Sequence, residues 1–402
     1  MTSILIRFTI LFFLISGVTV LPLVNNIAKP DEGKVEIPFE IIRNHIVLST
    51  KIQGKALHLI LDTGMPGHGA ILFDTPRIKE LNLKSGNQAQ LMGVGGKPIP
   101  AQIATGITLQ FSGLELRDQT IIIMPLNAER SFIFEEEDGI IGYELFSRYI
   151  VEIDYEMMVI RLIDPDKFRY VGSGEELPIV LRNNVPFLTC SAEMVSGEKI
   201  PMELAIDIGA THALSLNADP QTNIKVPENS IECRVGRGLS DDINGHIGRI
   251  TKLQLGDFTL NNVLTSFQSG LRLGPRQLEK EGNLGHDALR RFNVTFDYSN
   301  KRIILEPNSH FHDPFEFNMA GIQFTRSEQG KFKIDHLITN SPASETGLKA
   351  GDIISEINGR TANQFRVDDV EELLQKEGED VTFTIFRHSK RMEVRLKLRP
   401  LI

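Results

Sequence analysis

Two aspartates in this chain sit where a carboxylate can do chemistry. Asp62 closes the run HLILDTG, ending at Gly64, and Asp207 closes ELAIDIG, ending at Gly209. In each, a short apolar run of strand character delivers the carboxylate to a turn at glycine. One Asp-x-Gly alone is a turn signal, the aspartate bonding nearby backbone. Two of them, 145 residues apart, make a pair. Carboxylates brought within hydrogen-bond reach do not both ionise cheaply, so they share one proton. The ionised member then takes a proton from a water while the protonated member donates to a carbonyl oxygen. That chemistry hydrolyses an amide and needs neither metal, cofactor nor covalent intermediate.

The elements that must position the pair also repeat. IPFEIIRNHI from Ile37 is matched by LPIVLRNNV from Leu177, and Gly142 in DGIIGYELF by Gly285 in EGNLGHDAL, 143 residues on. Asp154-Tyr155 and Asp297-Tyr298 keep that step. A Gly-rich segment follows each aspartate, at Gly93, Val94, Gly95 and Gly96, and at Gly236, Arg237 and Gly238. Short apolar or alternating runs broken by Gly, Pro, Asn and Asp make both copies mainly β, with one short helix each near 143–148 and 286–291. An internal duplication therefore predicts two lobes, 35–168 and 175–308, whose pseudo-twofold packing sets the carboxylates face to face.

Asp62-Thr63-Gly64, Ile140-Ile141-Gly142 and the Gly93 segment resemble the catalytic loop, the hydrophobic-hydrophobic-Gly segment and the flap of aspartic peptidases. Asp207-Ile208-Gly209, Leu284-Gly285 and the Gly236 segment supply the second set. A flap in each copy is closer to the retropepsin-type family than to pepsin. The resemblance covers residues 35 to 308. It implies a bilobal aspartic-peptidase-like β fold, with Asp62 and Asp207 catalytic, loops supported by Thr63, Gly64, Ile208 and Gly209, and flaps at 93–96 and 236–238. In that family a Thr or Ser after each aspartate sends its hydroxyl to the other lobe. Thr63 fits and Ile208 does not; Met65 stands where a small residue is commoner, and Ala210 is as expected.

A third unit of strands around one or two helices spans 316–402, after a boundary in Glu306–Pro314. SPASETGLKAGDIISEINGR, Ser341 to Arg360, resembles the signature of PDZ domains in exported bacterial peptidases, with Ile353, Ile354 and Ile357 as core. The resemblance implies a small α+β domain that takes peptide C-termini by strand addition, with a carboxylate loop at Met319, Ala320, Gly321 and Ile322. Two functions follow. One is an endopeptidase acting on peptide or protein substrates that the PDZ unit recruits. The other, which Ile208 favours, is a degenerate peptidase that binds peptides through cleft and PDZ groove.

Composition narrows the class. At 402 residues, 41% hydrophobic and 24% charged, the chain is globular in type, and a net charge of -9 argues against nucleic-acid binding. Arg7 followed by the apolar stretch Phe8–Leu23 makes residues 1–28 a signal peptide or N-terminal anchor. The body is then exported: periplasmic, extracellular, or held to a membrane by that anchor alone. Cys190 and Cys233 allow one disulfide or two separate buried thiols. GVGGKP lacks the Gly-Lys-Ser/Thr ending of a phosphate loop. His310 and His312 have nothing nearby to complete a metal site; His212 and His286, close in sequence to the catalytic landmarks, are candidates to line the cleft, with structural or surface roles the better reading. No metal and no cofactor is expected.

Overall fold

The structure, a computed structural model, describes residues 12–13, 33–67, 69–93, 98–126, 136–219, 222–237, 242–268, 281–327 and 329–402. The expected leader over 1–28 lies outside these apart from 12–13, as do Val94, Gly95, Gly96 and Gly238. The chain is mainly β, in one large strand system and a separate C-terminal sheet. Among the described residues, no helix is long and apolar enough to cross a membrane.

Each half of the large system is built in the same order. Lys34–Ile42 turns into His45–Ile52 through Arg43 and Asn44, both at positive φ (50° and 60°). Glu175–Arg182 turns into Val185–Glu193 through Asn183 and Asn184, at 46° and 70°. Two successive positive-φ residues are what a tight hairpin needs to match the strands' twist, and asparagine tolerates that conformation. The next strand carries the chain to an aspartate: Lys55–Leu61 delivers Asp62, and Lys199–Asp207 ends on Asp207. Each lies parallel to a short strand, Gly139–Ile141 or Gly282–Gly285, whose other edge pairs antiparallel with Ala70–Phe73 or Leu214–Asn217. These aspartate strands are covered on both faces. Leu59, Ile60, Leu61, Leu204 and Ile206 are wholly buried, which explains unbroken apolar runs in place of alternation.

The halves join edge to edge. Ile150–Asp154 pairs with Phe292–Asp297, and outward from that seam follow Val159–Ile163 and Lys34–Ile42 on one side, Arg302–Pro307 and Glu175–Arg182 on the other. This sheet has the same order read from either edge. Aromatic pairs underpin the join: Phe146 packs edge-on against Phe296 at 5.1 Å and stacks on Tyr298 at 5.5 Å, and Tyr155 lies 5.5 Å from His286. The short helices fall after the glycines as expected, at Tyr143–Phe146 and His286–Leu289. Long strand pairs, Ser85–Gly93 with Pro98–Phe111 and Ile231–Arg237 with Asp242–Leu255, carry Gly93 and Gly236. Cys190 and Cys233 are separate buried thiols, so of the two expectations for the cysteines the unbridged one holds.

The C-terminal sheet, from Ile322–Arg326 to Lys390–Lys397, closes over its own core with the helix Val367–Leu373. Ile354 and Ile357 are buried there, but Ile353 is only half-buried, because adjacent strand residues face opposite ways. The segment before it is anchored. Arg291 donates to the carbonyls of Asp313 and Pro314 and lies 3.6 Å over the Phe315 ring, while Phe315 and Phe317 are buried in the main core.

Candidate active site

Asp62 and Asp207 are both completely buried, at the ends of their strands and on opposite sides of the seam. Their closeness follows from the loop glycines. A β-carbon on Gly64 would lie 2.9 Å from the Asp207 carboxyl carbon, and one on Gly209 would lie 2.6 Å from Asp62 Oδ1. Real β-carbons do not approach so closely, so only glycine lets each loop pack against the other's carboxylate. Each aspartate also takes an N–H from its own glycine: Gly64 N to Asp62 Oδ1 at 2.6 Å, Gly209 N to Asp207 Oδ1 at 3.0 Å.

Thr63 ties the loops together. Its hydroxyl donates to Ile206 O at 2.8 Å and accepts from Ile208 N at 3.0 Å, both in the other half. Ile208, wholly buried, packs into the core instead of returning those bonds. A second crossing comes from the hairpin asparagines: Asn44 Nδ2 donates to Thr211 O at 2.6 Å, and Asn184 Nδ2 to Pro66 O at 2.8 Å. Asn44 Oδ1 additionally meets His286 Nδ1 at 3.1 Å.

The pair's surroundings differ on its two sides. Asn283 Nδ2 donates to Asp207 Oδ2 at 3.0 Å, and Asn283 Oδ1 meets His212 Nε2 at 2.9 Å. Asp62 Oδ2, by contrast, is buried without a hydrogen-bond partner. With both groups ionised there is no donor between them; one added proton makes them a hydrogen-bonded pair. Burial raises the Asp62 pKa well above the usual range, and the charge of Asp207 and the hydrogen bond to it raise it further. Burial also pushes Asp207 up, to about 6, against the lowering effect of Asn283, Asp62 and the Gly209 and Ala210 N–H groups. The pair is therefore built to hold a proton across the mildly acidic range.

Sequence reasoning named the aspartates, both glycines and Thr63, and these lie together. Gly93, Gly236 and Arg237 lie on the long strand pairs. Sequence reasoning missed Asn44, Asn184 and Asn283, and set a cleft-lining role for His212 and His286 below a structural or surface one. For Asn283 the signal was available: it is polar inside a buried strand, where the repeat places Ile140 in the other copy. His310 meets Asp313 at 2.8 Å on the surface.

In the C-terminal unit, the N–H groups of Ala320 and Gly321 both point at Asn318 Oδ1, at 3.1 and 2.7 Å. Met319 N donates to Leu374 O at 2.8 Å, and Met319, Ala320 and Ile322 are buried. Residues 334–387 match the family model of the PDZ domain. This unit is a PDZ domain. PDZ domains bind peptide C-termini, consistent with peptide or protein partners. Its sheet reaches beyond the matched residues on both sides, to Ile322–Arg326 and Lys390–Lys397. It contacts both halves: Gln323 Nε2 donates to Arg234 O at 3.3 Å, and Asp368 Oδ2 accepts from Arg43 N at 3.2 Å. A comparison with curated proteins finds no match to the chain.

Proposed function

We propose that the chain is an exported aspartic endopeptidase of two fused retropepsin-like lobes, with the PDZ domain recruiting substrate. One observation carries the reading: each loop glycine packs against the other half's aspartate, at a distance only glycine allows. Two buried carboxyls so placed share a proton. The ionised one takes a proton from a water whose oxygen attacks the peptide carbonyl carbon. The protonated one delivers its proton to the carbonyl oxygen; the carboxyl that took the water's proton then passes it to nitrogen as the C–N bond breaks, and a diol hydroxyl returns a proton to the other carboxylate. Thr63 supports this geometry by joining the loops, as its hydroxyl does in that family.

The test is cleavage of casein from pH 3 to 7 by the wild type, Asp62→Asn and Asp207→Asn. Turnover is expected in the wild type and a loss of at least about a thousandfold in either variant. Activity surviving either substitution removes the dyad from the account.

The second reading, a peptide-binding protein without turnover, is favoured by Ile208, which leaves the inter-loop bonding one-sided. Peptide binding by a wild type that cleaves nothing at any pH would select it.

A further inference from the structure

We propose that Asn283, oriented by His212, is a positioning residue that assigns the pair's negative charge to Asp207 and its proton to Asp62. The inference rests on the peptidase reading above. An amide beside a carboxylate stabilises it only if its NH2 end faces it. Here the other end decides: Asn283 Oδ1 lies 2.9 Å from His212 Nε2. With that nitrogen carrying the proton, His212 donates to Oδ1, and Nδ2 must then turn to Asp207. The reversed amide would face two donors at His212 and two acceptors at Asp207. Asn283 and His212 are 3% and 4% exposed, too little for water to stand in for either.

The repeat supplies the contrast. At the position equivalent to Asn283 the first half has Ile140, which cannot donate to a carboxylate. Asp62 Oδ2 accordingly has no hydrogen-bond partner, and a proton on it supplies the missing donor. The duplication thus made two alike carboxyls, and Asn283 made them unlike. Asp207 becomes the group that takes the proton from water, and Asp62 the group that protonates the carbonyl oxygen.

The titratable groups around Asp207 are Asp62 opposite, Tyr298 beyond the end of its strand, His45 at the Gly209 peptide, and His212 behind Asn283. His45 is held neutral by burial, which drives it down to about 3, and burial likewise keeps Tyr298 protonated. Neither competes with Asp62 for the shared proton near neutrality.

The experiment uses full-length Asn283→Ile, the side chain its repeat counterpart already carries, assayed from pH 3 to 8 on a quenched fluorescent peptide drawn from a casein cleavage site. The acid limb of kcat/KM is expected to move up by about one pH unit, with kcat lower by about tenfold or more and KM within about twofold. His212→Phe should move the limb the same way by less. Adding Ile140→Asn to Asn283→Ile returns a donor to the pair and should recover part of kcat. An unmoved pH profile in Asn283→Ile, or a lower kcat with the limb unmoved, overturns the inference while leaving the dyad standing. Urea unfolding against pH reads the same carboxyl without turnover. In Asn283→Ile the stability loss attributed to Asp207 should extend to higher pH, and an unchanged curve overturns the inference. If the wild type proves inactive, the peptidase reading fails and the unfolding curve still decides whether Asn283 holds the charge.

Discussion

Thr63 Oγ1 accepts the N–H of Ile208 at 3.0 Å, across the boundary between the two halves. The same hydroxyl donates to Ile206 O, so one side chain holds the opposite loop on both sides of Asp207. Thr63→Val keeps the shape and strands a buried N–H and a buried carbonyl. A loss of about 2–4 kcal/mol in urea unfolding is expected, with Thr63→Ser losing under about half as much. Equal losses would show that the methyl, not the hydroxyl, matters.

The carboxyl pair makes stability pH-dependent with an unusual sign. Both folded pKa values are raised above the unfolded value near 3.8. Between those values the native state holds more protons than the unfolded chain, so stability falls as pH rises from about 4 and is fully present below it. Glu137, pushed up to about 7 by burial, adds to the slope. Asp62→Asn removes one ionisation. Between pH 4 and 7 its unfolding curve should be flatter, exceeding wild type by about 1–3 kcal/mol at pH 7 and matching it near pH 3.5. A slope equal to wild type would contradict a coupled buried pair.

The hairpin asparagines offer an internal comparison. Asn44→Gly and Asn184→Gly keep the positive φ of each turn, so they report the cross-boundary side-chain bonds alone. Asn44 loses contacts to Thr211 O and His286, Asn184 only that to Pro66 O. Thermal or urea unfolding should show about 2–3 kcal/mol for the first and about 1 kcal/mol for the second. The reverse order would argue against these bonds as links between the halves.

In the PDZ domain the sign with pH is opposite. Burial would raise the Asp352 carboxyl, but hydrogen bonds from Arg387 at 2.6 and 2.7 Å and from Lys349 N hold it below the usual range. Its contribution is present above about pH 4 and lost as pH falls through the folded value. Amide exchange in peptides spanning 353–387 should quicken below that pH in wild type. In Arg387→Met it should be quick already at neutrality. Protection unchanged in the variant would remove the pair as a support of this sheet.

The repeat in the sequence pointed to two mainly β halves, and each aspartate strand announced itself by an unbroken apolar run. The PDZ unit was readable from one stretch of turn glycines and closely spaced isoleucines. What escaped was carried by side chains acting across the seam. Nothing local marks Asn44 or Asn184 as more than turn residues, since their partners lie 167 and 118 residues away. Asn283 escaped because its neighbours are apolar, and only comparison with Ile140 makes a polar residue there conspicuous. Ile208 was legible as a departure, but its consequence was not. Of the two residues that follow the aspartates, Thr63 supplies the crossing hydroxyl bonds and Ile208 none, so that part of the junction is half the size expected and still present.

Arg291 gives the segment after Pro307 a different mechanical character from a loose connector. Its guanidinium clasps two backbone carbonyls and a phenyl ring, and Phe317 is sunk into the main core just before the PDZ sheet begins. A loose chain would present a captured peptide over a spread of distances growing as roughly 5–6 Å times the square root of its length. A strut presents it at one fixed offset. In the peptidase proposed above, a peptide end gripped by the PDZ domain would bring over the aspartates a stretch of chain set by the dimensions of the protein and not by chance encounter, so length would become as much a criterion for acceptance as sequence.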